Sequence, residues 1–367
     1  MRNLRLAPLA IWAFAILAFA VPAYAGHINT GGETGAYHAT FCPQIVKALA
    51  KNKFDYTCNA SDGSLENVQR SVGDPTEVGF SQLDVFALES DNIGGAALFT
   101  RIRSDIAREC LFMVTRNRGV SNFGQVASVA SQLHFVLPPQ KSGSAGTFQL
   151  LQRIDPQGLG LARTVTYASS VDDAIIQALS ADDTVTLFVQ FPDPANARFQ
   201  AIAKQGGNIV PVIDRAILRQ EADGEKIYYA DETEITPAKW NKSAAKVVTA
   251  CTPMLLFTGA SDRITEANAR KDQDDLVRTL RGLPVEDLRP RESTLAALWR
   301  KSKALSAQSV EKLLALTDQA REQAKPTLDA AMKKAKEMAA EAQKQGKDIL
   351  EKAQKATGAA SGTGTNN

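Results

Sequence analysis

Apolar positions along the chain alternate between two periods, two residues and about 3.6, with glycines and short polar clusters marking each change. Residues 25–29 read as a short strand, 36–51 as a helix, 54–60 as a second strand, 64–72 as a helix, 77–81 as a third strand and 83–89 as a helix. This order predicts an α/β fold with a parallel sheet. The strongly apolar run 110–115 is a further strand, after which the pattern begins again. A strand over 134–137 stops at Pro138-Pro139, 141–147 is a loop of small polar residues, and 148–153 begins a helix. A second helix, 171–179, opens behind Ser170 with Asp172 and Asp173 in its first turn, which suits the positive end of its dipole. Residues 184–191, 208–213 and 247–258 have strand composition, and 261–280 are helical.

Both ends depart from this pattern. An apolar run from Leu9 to Val21 follows Arg2 and Arg5 and ends in Ala23-Tyr24-Ala25, the form of a signal peptide (1–25) cleaved after Ala25. The run is shorter than the ~20 residues of a membrane span. Beyond about residue 293 the chain turns to Ala, Lys, Glu and Gln, and Trp299 is its last aromatic residue. Leu328, Met332, Ala335, Ala339, Ala342, Ile349 and Ala353 place a thin apolar stripe on one helix, and Pro326 separates it from an earlier helix over about 308–324. Residues 358–367 are small and polar and are expected to be disordered.

The chain has 42 Lys and Arg against 40 Asp and Glu, and loss of Arg2 and Arg5 with the leader would make the two equal. No basic footprint for nucleic acid remains. Residues 293–367 hold 13 basic against 8 acidic side chains, so an acidic body carries a basic tail. Cys42, Cys58, Cys110 and Cys251 lack metal or redox spacing, and in an exported chain they are disulfides or buried thiols.

Chemistry concentrates at the strand-to-helix junctions. In Thr30-Gly31-Gly32-Glu33-Thr34-Gly35-Ala36-Tyr37 the first strand turns through glycines into a helix, which points free backbone N–H groups at whatever lies over the turn. The spacing is not Gly-x-Gly-x-x-Gly, and Asp55 lies within the second strand, so a dinucleotide site is not supported and no cofactor or metal is expected. The construction recurs at Asp62-Gly63-Ser64, at Ser81-Gln82 and at Ser142-Gly143-Ser144-Ala145-Gly146-Thr147. Four junctions at strand C-termini, drawn from two halves, predict a ligand cleft.

Thr30 to Tyr37, Ser61 to Val68, Val78 to Val85, Ser142 to Thr147 and, less clearly, Phe188 to Pro194 follow one another in an order and with gaps similar to those of the TAXI group of TRAP-transporter solute receptors, which are periplasmic binding proteins. The resemblance covers roughly 26–292. It implies a two-lobed type II binding fold hinged by two crossing strands, with lobe 1 from 26–112 and 247–292, lobe 2 from 113–246, and a helical extension over 293–357. It further implies a small solute such as glutamate, 2-oxoglutarate or another carboxylate, handed to the permease subunits of a TRAP transporter. Carried over by position, Thr30, Gly31, Tyr37, Ser64 and Gln82 would line one wall, and Ser144, Gly146, Thr147 and Gln190 the other. Thr30, Ser144 and Thr147 would take the anionic end, Tyr37 would pack or donate, and Gln190 would read a second polar group. In the resembled fold Cys110 would pair with Cys251 and Cys42 with Cys58.

The chain departs from the family at His38, Leu83 and Asp62; Asp62 is expected to cap the helix that begins at Ser64 and point away, the alternative being an inward carboxylate that would weaken binding of a carboxylate and favour a cationic or neutral ligand. Catalysis is not expected. The three histidines, His27, His38 and His134, have no catalytic neighbours in sequence, and Ser144 is not in a Gly-x-Ser-x-Gly elbow. The alternative to a transport receptor is a periplasmic sensor or scaffold that hands ligand state to a protein partner through the C-terminal helices. The tail itself reads as a partner-binding helix, an anionic-lipid contact or a solvated extension.

Overall fold

The computed structural model describes residues 25–193, 196–236, 245–290 and 310–323, with isolated helical positions further on. The leader before Ala25, the stripe between Leu328 and Ala353, and the segment 358–367 lie outside the described residues. No described helix is long and apolar enough to cross a membrane.

The first part of the chain runs β1 (Ala25–Asn29), α1 (Cys42–Lys51), β2 (Asp55–Asn59), α2 (Ser64–Gly73), β3 (Val78–Gln82), α3 (Leu83–Asn92) and β4 (Phe99–Arg103). The second runs β5 (Arg108–Thr115), α4 (Phe123–Ser128), β6 (His134–Leu137), α5 (Gly143–Ile154), β7 (Thr164–Tyr167), α6 (Val171–Ala178), β8 (Thr184–Gln190), α7 (Ala197–Lys204), β9 (Asn208–Pro211) and α8 (Arg215–Leu218). A small hairpin, β10 (Glu221–Ala222) and β11 (Glu225–Lys226), leads to β12 (Tyr229–Thr236) and the long β13 (Ala245–Gly259). The helices α9 (Ala267–Gly282), α10 (Val285–Leu288) and α11, spanning 310–323, close the described chain.

Two sheets share one strand order. In the first lobe β2 and β3 flank β1 in parallel, and β13 inserts antiparallel between β3 and β4. In the second, β7 and β8 flank β6 in parallel, and β5 inserts antiparallel between β8 and β9. Each lobe therefore has the order second, first, third, crossing strand, fourth. The crossing strands belong to both lobes: β5 leaves the first lobe and becomes central in the second, while β13 pairs with β12 along its first half and with β3 and β4 along its second. Where they pass each other, Cys110 faces Cys251 in the ladder and is disulfide-bonded to it. This is a two-lobed α/β fold of the type II binding-protein form, with its hinge at the crossing strands.

The central strands β3, β5 and β8 are almost entirely buried, as sheets covered by helices on both faces require. The helix α1 shows the local logic. Cys42, Ile45, Ala48 and Leu49 fall on one face at three- and four-residue steps and pack with Ile28, Tyr56, Phe80 and Leu256, while a bond from Cys42 to Cys58 ties the helix to β2. Leu111, Phe135, Phe148 and Leu187 belong to the core of the second lobe.

Some sequence expectations change. In the stretch 141–147 only Lys141 and the cap Ser142 lie outside the helix: α5 already begins at Gly143, because Ser142 caps it by accepting the Ala145 N–H at 3.3 Å. The region 36–51 begins with a wide π turn, Tyr37–Phe41, before α1, and 261–280 breaks into a short turn at Ser261–Arg263 followed by α9.

The expected helix over 308–324 is present as α11, and it is docked onto the second lobe. Leu314 and Thr317 are buried, and the Thr317 hydroxyl donates to the Ile213 carbonyl at 3.3 Å. At Gly124 even a Cβ would come within 2.5 Å of the Thr317 carbonyl, so the helix lies directly on α4. Arg321 donates through both Nη atoms to the buried Asp155, at 2.9 Å each, and its Nε lies 3.1 Å from Asp214, close enough for an ion pair though poorly aligned for a hydrogen bond. Arg215 pairs in return with Glu311 and Asp318. This part of the tail is thus built into the second lobe and is not a solvated extension.

Candidate functional site

The C-termini of the six parallel strands converge. Thr30 and Gly31 follow β1, Ser61 and Asp62 follow β2, and Gln82 ends β3; opposite them Pro139 follows β6, Ser169 and Ser170 follow β7, and Gln190 ends β8. All line one cavity of about 660 Å³ between the lobes, within the usual range for small-molecule sites. The N-termini of α2, α5 and α6 open onto it through Ser64, Gly143 and Val171. Their unpaired backbone donors bias it toward anionic groups.

Seven of the nine expected residues line this space: Thr30, Gly31, Tyr37, Ser64, Gln82, Ser144 and Gln190. Their roles differ from those expected. The Thr30 hydroxyl lies 3.0 Å from the Asn59 carbonyl and 2.9 Å from His38 Nδ1, so its bonding is satisfied within the protein. Ser64 donates to the Gln82 side-chain oxygen at 3.1 Å. Ser144 accepts the Val189 N–H at 2.9 Å and keeps its own proton for a further partner. Gln190 accepts from Arg198 at 3.2 Å, while its buried Nε2 has no protein partner.

Gly146 and Thr147 are not among the lining residues. A Cβ on Gly146 would press on Val85, and the Thr147 hydroxyl donates to Asp84 at 2.6 Å, because this face of the helix packs against α3 and not the cleft. Asp84 also accepts from Tyr228 at 2.8 Å, so one buried carboxylate joins α3, α5 and the segment before β12. Burial raises its pKa against the pull of these hydrogen bonds.

Asp62 does not cap α2. The position before Ser64 is Gly63, and the Asp62 N–H is taken by Glu66 at 2.7 Å. The Asp62 carboxylate instead meets Lys141 of the second lobe at 3.2 Å across the cleft mouth. Gly63 has a φ of 134°, and a Cβ there would stand 3.0 Å from Ser142 Cα, so the two rims touch and the cleft is closed.

Two charged residues at the site went unrecognised in the sequence. Arg198, in the first turn of α7, is held by Asp172 (Nε to Oδ1, 2.6 Å) and by Gln190. Glu109, at the start of β5, sits at the cleft floor and accepts a short hydrogen bond from the Tyr37 hydroxyl. Burial, joined by the neighbouring Asp84 charge, raises the Glu109 pKa to about 8 against the opposing hydrogen bonds from Tyr37 and Gln82. Tyr37 is pushed well above its usual value by burial and by Glu109. Among the described residues no group of three or more His, Cys, Asp or Glu side chains is placed to share a metal ion.

No protein-family model and no curated protein matches the chain in sequence. Among solved structures, it is similar to a periplasmic transporter (10% identity, 84% of this chain and 98% of that one, TM-score 0.43). It is similar also to an ABC-type phosphate transport receptor from Vibrio cholerae (11% identity, 72% and 96%, TM-score 0.42). A third likeness is to the malate-bound MatC protein of Rhodopseudomonas palustris (12% identity, 84% and 99%, TM-score 0.43). These are similarities of outline, and the two-lobed assignment stands on the strand order of this chain itself.

Proposed function

We propose that this chain is an exported solute receptor whose lobes, 26–112 with 247–292 and 113–246, close on a small carboxylate-bearing molecule and present it to a membrane permease of the TRAP type. The observation that carries the reading is the convergence of six strand ends and three helix N-termini from two lobes on one cavity. Affinity in such a device comes from the equilibrium between open and closed lobes, which a ligand touching both walls pulls toward closure. The donors left for an anion are Arg198, the Ser144 hydroxyl and the unpartnered Gln190 Nε2.

The test is native mass spectrometry of protein purified from the periplasm, before and after mild unfolding. A small carboxylate released with the fold, and its loss from Arg198→Ala and Gln190→Ala variants, is the expected result. An empty protein that gains no thermal stability across a panel of amino, keto and dicarboxylic acids would end the receptor reading and favour the scaffold alternative.

A further inference from the structure

The solute-receptor reading leaves open which carboxylates the cleft accepts, and the charges on its walls differ enough to decide. The second-lobe wall offers donors: Arg198, which is paired with Asp172 but keeps spare Nη hydrogens, the orphan Gln190 amide, the Ser144 hydroxyl and the N-termini of α5 and α6, with Asp193 as its acidic lining residue. The floor is the opposite. Its two strongest donors, the Tyr37 hydroxyl and the Gln82 side chain, are already spent on Glu109. Among the described residues no Lys, Arg or His makes an ion pair with Glu109. Two neutral donors do not offset a buried negative charge, so the ionised form of Glu109 needs a cation beside it, and the solute can bring one. Gln190 links the two ends, because it faces Cys110, the neighbour of Glu109, in the β5–β8 ladder while its side chain contacts Arg198.

We infer that Glu109 is the specificity-determining residue of the cleft: its carboxyl receives the ammonium group of the solute while Arg198 and Gln190 receive the carboxylate, so the site selects amino acids over keto acids and dicarboxylates of the same skeleton. Before a solute binds, Glu109 keeps its proton, because burial and the Asp84 charge from α3 outweigh the hydrogen bonds of Tyr37, from the turn before α1, and Gln82, at the end of β3. An incoming ammonium displaces that proton to solvent. A dicarboxylate would do the reverse and require Glu109 to stay protonated as a donor.

Isothermal titration of the intact mature protein with paired probes, L-glutamate against 2-oxoglutarate and L-aspartate against malate, separates these cases. The amino member of at least one pair is expected to bind about 100-fold more tightly, because a buried acceptor left without its partner costs a few kcal/mol. Its affinity should rise between about pH 6 and pH 8, approaching tenfold per pH unit, with proton release seen as a dependence of the heat on buffer ionisation. Glu109→Gln should remove the preference and the proton release. Its thermal transition is measured alongside, and the pH series on the unaltered protein serves if the variant does not fold. A keto or dicarboxylic acid that binds as well as its amino partner, or an affinity that falls with pH, would overturn the assignment while leaving the receptor intact. Failure of every probe, with an empty cleft by mass spectrometry, would remove both.

Discussion

Replacing Arg321 by Met tests whether the C-terminal helix is part of the folded body. The guanidinium neutralises Asp155 and Asp214, whose side chains are only 7% and 6% exposed, and it bonds Asp155 through two Nη atoms. Removing one member of a buried ion pair typically costs about 3–5 kcal/mol, because the remaining charge is stranded. The Arg321 side chain is itself 30% exposed, so solvent screens part of the interaction and the expected loss is nearer to 2–4 kcal/mol. In a lobe of this size that corresponds to a fall in melting temperature of roughly 5–10 °C. Differential scanning calorimetry at neutral pH measures it. Adding Asp155→Asn to the variant should restore about 1 kcal/mol or more, since it removes the stranded charge and keeps an acceptor for the Leu159 N–H. A variant that melts within a degree of the parent, or a double variant weaker than the single one, would refute the idea that the tail is integral. Solute affinity should be unchanged, because no described tail residue lines the cleft.

Three further outcomes are expected. Glu109 holds a proton in the native state up to about pH 8 but loses it near pH 4.5 when unfolded, so the solute-free protein should lose stability as pH rises between these values, by at most roughly 4–5 kcal/mol, and Glu109→Gln should flatten that slope in urea titrations. Gly63→Ala forces a side chain into a positive-φ position against the Ser142 backbone, so calorimetric binding should weaken about tenfold or more and small-angle scattering should show a more open particle; an unchanged affinity would mean that the rims need not touch. Breaking the Cys110–Cys251 bond, which spans 141 residues, should lower unfolding free energy by about 4–5 kcal/mol in a denaturant series without reductant, and a parent-like midpoint would show that the bond does not constrain the unfolded chain.

The parts of this molecule that were legible in its sequence are those that local chemistry dictates. The glycines and serines after β1, β2, β3 and β6 announce turns into helices, and the buried central strands read as apolar runs. Two peripheral strands were not visible: β7 is Thr-Val-Thr-Tyr with mostly exposed positions, and β12 interleaves acids with small residues, so neither carries a distinct period. Glu109 escaped notice because a charged pair at a strand's start resembles a solvated end, although here it lies deep in the cleft. Arg198 was hidden because α7 was not recognised as a helix, which left nothing to point the residue inward. Arg321 looked like any other charge in a Lys- and Glu-rich tail. Its partners, Asp155 and Asp214, are more than a hundred residues away.

The shared strand β13 also sets the order in which this protein can be built. Among the described strands β4 has no ladder partner except β13, and one edge of β3 is open until β13 fills it. The lobe whose first strand emerges earliest therefore keeps an open sheet until Gly259, after every strand of the second lobe has been made. During that interval the chain carries exposed strand edges, a hazard for pairing with other chains. For the exported receptor proposed above, translocation as an extended thread, with folding deferred to the far side, suits such a chain better than folding while it is being synthesised.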